Sequence, residues 1–140
     1  MQYVDVKIHE NVATILLDRP AACNALSPRL TADLMTALSD VHQERRVRAV
    51  VLAGSGDHFC AGMDLKTGPE GGKGEDAEEI QQLMQDIPNL HWQALLREDR
   101  PNKPIILAVE GYALAGGTEI LQGTDLRIGA EDAIFGVTGA

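Results

Sequence analysis

Ile105-Ile106-Leu107-Ala108-Val109-Glu110-Gly111-Tyr112-Ala113-Leu114-Ala115-Gly116-Gly117-Thr118-Glu119-Ile120 passes from a continuous apolar run, through glycines and small side chains, into a segment compatible with helix. Pro104 stops any helix ahead of it, so IILAV predicts a buried strand, Gly111 to Gly117 a turn, and Thr118 to Gln122 a short helix. The same plan occurs upstream between Val50 and Leu65. There Arg48 to Ala53 (RAVVLA) predicts a second buried strand ending at Gly54, and Cys60-Ala61-Gly62 supplies the small residues. Strand, glycine turn and helix, used twice without any fixed-period repeat, predict an α/β fold.

The flanking sequence fits. Val4 to Ile8 alternates with period two, and Val12 to Leu17 is β-rich after a break at Glu10-Asn11, which predicts a half-buried strand pair. Arg19 to Leu26 predicts a loop. Ser27 can then cap, and Pro28 open, a helix whose Leu30, Leu34, Ala37, Leu38 and Val41 form one apolar stripe, with Arg29, Asp33, Asp40 and Glu44 off it. Lys66 to Asp76 (KTGPEGGKGED) is charged, glycine-rich and aperiodic, and predicts a mobile surface loop at residues 66-76. Helical periodicity from Ala77 to Arg97 is interrupted at Pro88, which fits two helices or one kinked helix, with His91 and Trp92 on a helix face. Leu126 to Ile128 and Ala133 to Phe135 predict short strands.

A chain of 140 residues, 44% hydrophobic and 24% charged, can bury a core, and aromatics at 4% leave that core to Val, Ile, Leu and Ala. Its net charge of −9 is the wrong sign for bulk attraction to nucleic acid or anionic lipid, so any anionic ligand has to be gripped locally. Neither a signal peptide nor an apolar run of about 20 residues is present, and Cys23 and Cys60 read as thiols rather than a disulfide framework. The expectation is a cytoplasmic protein without nucleic-acid or membrane partners. His9, His42, His58 and His91 lack metal-ligand spacing, so no metal is expected. Gly54-Ser55-Gly56 lacks the third glycine of a dinucleotide fingerprint.

Small residues at a turn let a ligand approach the backbone, and a helix start presents N–H groups without partners. Two such turns converging on one point would form an oxyanion hole. The alternative is that the glycines only permit tight turns and close packing. Glu119, two residues past Gly116-Gly117 and beside Ile120 and Leu121, suits proton transfer from an apolar pocket, or else only complements a helix dipole. Cys60 is either a nucleophile or, as is commoner, a buried thiol. Asp64 can cap a helix after the first turn.

Four stretches together resemble the crotonase, or enoyl-CoA hydratase/isomerase, superfamily: RPAACNAL from Arg19, FCAGMDL from Phe59, KPIILAVEG from Lys103, and YALAGGTEI from Tyr112 with Asp125 and Phe135-Gly136. The resemblance implies a spiral of ββα units with two roughly perpendicular sheets. It also implies an acyl-CoA thioester as substrate, with coenzyme A part of that substrate and no separate cofactor. By motif position, the N–H groups of Met63 and Gly116 would hold the thioester oxygen, and Glu119 would act on water that adds to a 2-enoyl-CoA. Ala25, Leu26, Ala61, Gly62 and Asp64 fall on the substrate-binding loop and turn, with Ala25, Leu26 and Ala61 toward the adenine. Full-length members are expected to form a homo-trimer or hexamer.

Two departures accompany the match. The second glutamate of typical hydratases falls on Gly139, which has no side chain, and Cys23 stands where relatives often carry a basic residue before the Asn. The pattern favours a hydratase ancestor over an isomerase. It leaves a non-catalytic CoA-binding protein, or another crotonase reaction such as enoyl-CoA isomerisation, as alternatives. Relatives run about a hundred residues longer, so the expectation is an N-terminal spiral over residues 1-140 without the C-terminal helical module, exposing apolar surface that such helices would cover.

Overall fold

The computed structural model describes residues 1–63, 77–86, 94–96 and 100–137. Asp64, the 66-76 loop, His91, Trp92 and Gly139 lie outside the described residues. Strands β1 (Val4–His9) and β2 (Val12–Leu17) form an antiparallel hairpin. Glu10 and Asn11 at its tip both have positive φ, 48° and 69°, the conformation whose twist matches the flanking strands. Asn11 tolerates it best, and its side chain donates to Arg46 O at 2.8 Å while its carbonyl accepts the Arg48 N–H at 2.7 Å. The hairpin is thereby fixed to the strand that follows.

A short 3-10 turn, Pro20–Ala22, lies within the predicted loop and leads to helix α1 (Pro28–Gln43). Ser27 Oγ accepts the Leu30 N–H at 3.1 Å, with Pro28 in the first turn where its missing N–H costs nothing. All five residues of the predicted stripe are buried. Asp33, off that stripe, is also buried. Its carboxylate accepts the N–H groups of Gln2 and Tyr3, both at 2.9 Å, and pairs with Arg29 Nε at 3.3 Å, so it anchors the chain's N-terminal segment.

Strand β3 (Ala49–Gly54) lies parallel to β2, β4 (Ile105–Val109) parallel to β3, and β6 (Leu126–Gly129) parallel to β4, giving a five-stranded sheet of order β1-β2-β3-β4-β6. Alternate side chains Ala13, Ile15, Leu17, Val50, Leu52, Ile105 and Leu107 are fully buried, and α1 packs onto them. Helix α2 (Ala77–Asp86) follows β3 in the chain.

The predicted turn after β4 contains a strand. Tyr112–Leu114 forms β5, which pairs in parallel with β7 (Ile134–Gly136) as a second, two-stranded sheet. A three-residue Tyr-Ala-Leu run carries no periodic signal, and its pairing partners lie elsewhere in the chain. Helix α3 (Gly116–Glu119) begins two residues earlier than expected and continues as a 3-10 turn over Ile120–Gly123.

Candidate functional site

The two glycine turns meet. Cys60 bridges Ala113 in parallel, with Cys60 N–H donating to Tyr112 O at 2.9 Å and Leu114 N–H to Cys60 O at 3.0 Å. Gly62, at φ 91°, sits so close to the second turn that a β-carbon there would lie 2.8 Å from Leu114 O and 3.0 Å from Ala115 Cβ. Only glycine fits both the dihedral and the gap. Met63 follows Gly62, and Gly116 follows Ala115, so the two amides singled out in the sequence succeed residues that touch.

Backbone accounting shows which amides of each turn are used. In the first, Ala61 N–H donates to Cys23 O at 3.0 Å and Gly62 O accepts the Leu26 N–H at 2.6 Å. In the second, Ala115 N–H donates to Gly136 O, and Ala115 O accepts from both Thr118 and Glu119, each at 2.9 Å. Among the described residues, neither Met63 N–H nor Gly116 N–H donates a hydrogen bond. Ala115 itself is held at φ 49° and ψ −113°, a conformation costly for a residue with a β-carbon and one that aims the start of α3.

Glu119 closes the first turn of α3, half-buried, next to the fully buried Ile120. Thr118 clips this helix in place: its Oγ1 lies within hydrogen-bond distance of Ala113 O, is 2.8 Å from Gly136 O, and accepts from Gly136 N–H. Ala25 and Leu26 are buried, and a β-carbon on Gly116 would lie 2.7 Å from Leu26 Cδ1, which puts the RPAACNAL loop directly against the glycine pair. Ala61 is half-buried and Met63 partly exposed, at 38%. Met63, Gly116, Gly62, Ala61 and Leu26 are thus brought to one place, with Glu119 on the helix that starts there.

Two residues central to this arrangement had no role assigned by sequence reasoning. Asn24, completely buried at φ 55°, accepts the Arg19 N–H at 2.8 Å and donates to Ser55 O at 2.9 Å and His58 O at 2.8 Å, tying the loop to the first glycine turn. Its tolerance of left-handed backbone is the one local clue. Thr118 is the other. Cys60 is fully buried with its thiol pushed up to about 12 by burial, which leaves it the inert thiol of the two readings. No group of three or more metal-ligating side chains occurs among the described residues, and none of their helices is long and apolar enough to cross a membrane.

A five-stranded, mostly parallel sheet, joined through paired glycine turns to a two-stranded sheet, defines a protein of the crotonase fold. The chain belongs to the enoyl-CoA hydratase/isomerase family, whose sequence profile matches residues 7–140. It is 42% identical over 126 residues to enoyl-CoA hydratase EchA19 of Mycobacterium tuberculosis, covering 90% of this chain and 46% of that protein. It is 36% identical over 137 residues to (E)-benzylidenesuccinyl-CoA hydratase of Thauera aromatica, covering 96% and 50%. The crystal structure of enoyl-CoA hydratase from Mycobacterium tuberculosis superposes with a TM-score of 0.78 at 33% identity, covering 98% of this chain and 49% of that one. The chain spans about half the length of the curated relatives it matches.

Proposed function

We propose that the chain carries the thioester-activating half of an enoyl-CoA hydratase, catalysing reversible addition of water to a 2-enoyl-CoA to give a 3-hydroxyacyl-CoA. The observation that carries this reading is the contact of Gly62, just before Met63, with Leu114 and Ala115, just before Gly116, together with the lack of any hydrogen bond donated by the Met63 and Gly116 amides among the described residues. In the proposed reaction the thioester oxygen accepts both N–H groups. Water attacks the β-carbon while Glu119 takes its proton, the electron pair of the double bond moves toward the thioester, and the resulting enolate is stabilised by two fixed donors. Each donor of this kind typically contributes about 3–4 kcal/mol to the barrier reduction. Glu119 then returns that proton to the α-carbon, which completes the addition and restores the carboxylate. Coenzyme A belongs to the substrate, and the chemistry calls for no separate cofactor.

Gly139 favours a second reading, because the residue expected to serve the α-carbon has no side chain. A protein with the oxyanion turns alone binds acyl-CoA without turning it over. Hydration of crotonyl-CoA, followed by loss of enoyl absorbance, separates the two. Turnover that falls by about 10²–10⁴ in Glu119→Gln supports the hydratase, whereas acyl-CoA binding with no turnover in the unaltered chain supports the second reading.

A further inference from the structure

The junction between the first glycine turn and β5 is fastened by a histidine side chain. His58 Nδ1 accepts the Tyr112 N–H at 3.0 Å, and the imidazole and phenol rings stack with centroids 4.2 Å apart and planes 7° from parallel. A backbone amide can only donate, so Nδ1 presents a lone pair and the ring, in this bond, carries its proton on Nε2. Backbone geometry makes room for the contact. Gly111, at φ 59°, would put a β-carbon 2.3 Å from His58 Nδ1 and 2.3 Å from Asp57 O, so the imidazole reaches Tyr112 only because residue 111 has no side chain. On its other side, His58 O accepts from the buried Asn24 side chain at 2.8 Å.

From Tyr112 the connection to the amide pair is short. The carbonyl of Tyr112 accepts Cys60 N–H, Leu114 N–H returns to Cys60 O, and the strand ends at Leu114, immediately before Ala115 and Gly116. We infer that His58 is a positioning residue: its neutral imidazole fixes β5 against the first glycine turn and so sets the Gly116 amide relative to that of Met63. The structural part stands alone, and its catalytic consequence rests on the proposed hydratase reading. Ionisable side chains on the two segments that meet here are Asp57 on the His58 turn and Glu110 and Tyr112 on the facing one.

The test uses the 140-residue chain, His58→Asn, whose Oδ1 can take the place of Nδ1, and His58→Leu, which accepts nothing. In the unaltered chain, ¹⁵N spectra should show Nδ1 as the unprotonated ring nitrogen at neutral pH, hydrogen-bonded to the Tyr112 amide. His58→Leu should speed Tyr112 amide exchange about tenfold and lower kcat for crotonyl-CoA by a similar factor with little change in KM, while His58→Asn keeps both within about threefold. A proton on Nδ1 at neutral pH, or native Tyr112 exchange in His58→Leu, overturns the inference. A chain that hydrates no acyl-CoA counts against the hydratase reading, and the two spectroscopic outcomes still decide the role of His58.

Discussion

Cys60 and Cys23 are both free thiols, and their surroundings separate them. Burial holds Cys60 near 12, so at neutral pH it is neither ionised nor reachable, whereas Cys23 is half-buried on the loop that contacts the first turn. A disulfide reagent at pH 8 is expected to modify Cys23 readily and Cys60 only after denaturant unfolds the chain; mass mapping of the labelled peptides checks this. Two carboxylates titrate in the opposite sense. Asp125 is held low first by its hydrogen bond from the Arg100 guanidinium and then by the Ile105 N–H, and Glu44 by the Arg46 side chain and backbone. A lowered folded pKa means that the stabilisation is present at neutral pH and is lost as pH falls below the ordinary carboxylate range of about 4. Asp125→Asn should therefore flatten the acid side of a plot of urea midpoint against pH, and a variant as acid-sensitive as the unaltered chain would contradict that assignment.

At the level of elements, α1 shows how far local chemistry reaches. Ser27, Pro28 and the stripe from Leu30 to Val41 specify the helix start and its buried face without reference to anything distant. Ser27→Ala should cost about 1 kcal/mol in denaturant unfolding, since the Leu30 N–H loses its acceptor at a buried helix end. Asp33 shows where local chemistry stops: the periodicity only leaves it off the apolar stripe, and its partners are the amides of Gln2 and Tyr3, some 30 residues away. Strand β5 makes the same point. Its partners, Ile134–Gly136 and Cys60, are remote in sequence, so three small and apolar residues between glycines read as a turn until the chain closes on itself.

For the molecule as a whole, apolar exposure is uneven. Leu126 and Ile128 on β6 and Ile134, Phe135 and Val137 on and after β7 are all about half exposed or more, from 48% to 74%. These residues lie on and beside edge strands of the two sheets, where unpaired backbone and apolar side chains together favour association. The 140-residue chain in isolation should bind a hydrophobic dye and self-associate with rising concentration, and Ile128→Lys with Phe135→Glu should reduce both without lowering the melting temperature. Dye binding and sedimentation at the level of a compact monomer in the unaltered chain would rule this out.

The sequence by itself determined the α/β class, the hairpin, α1, strands β3 and β4, and the pair of glycine turns, because hydrophobic period, capping and glycine placement act over a few residues and are legible there. It also determined, through the order of its four motifs, the family to which the chain belongs. Tertiary structure alone decided that the turns lie against each other, that Asn24 and Thr118 hold them, and that His58 reaches Tyr112. Each of those contacts joins positions from 5 to 54 residues apart, and most of the partners are backbone groups, which have the same chemistry at every position and become particular only when the fold brings them together.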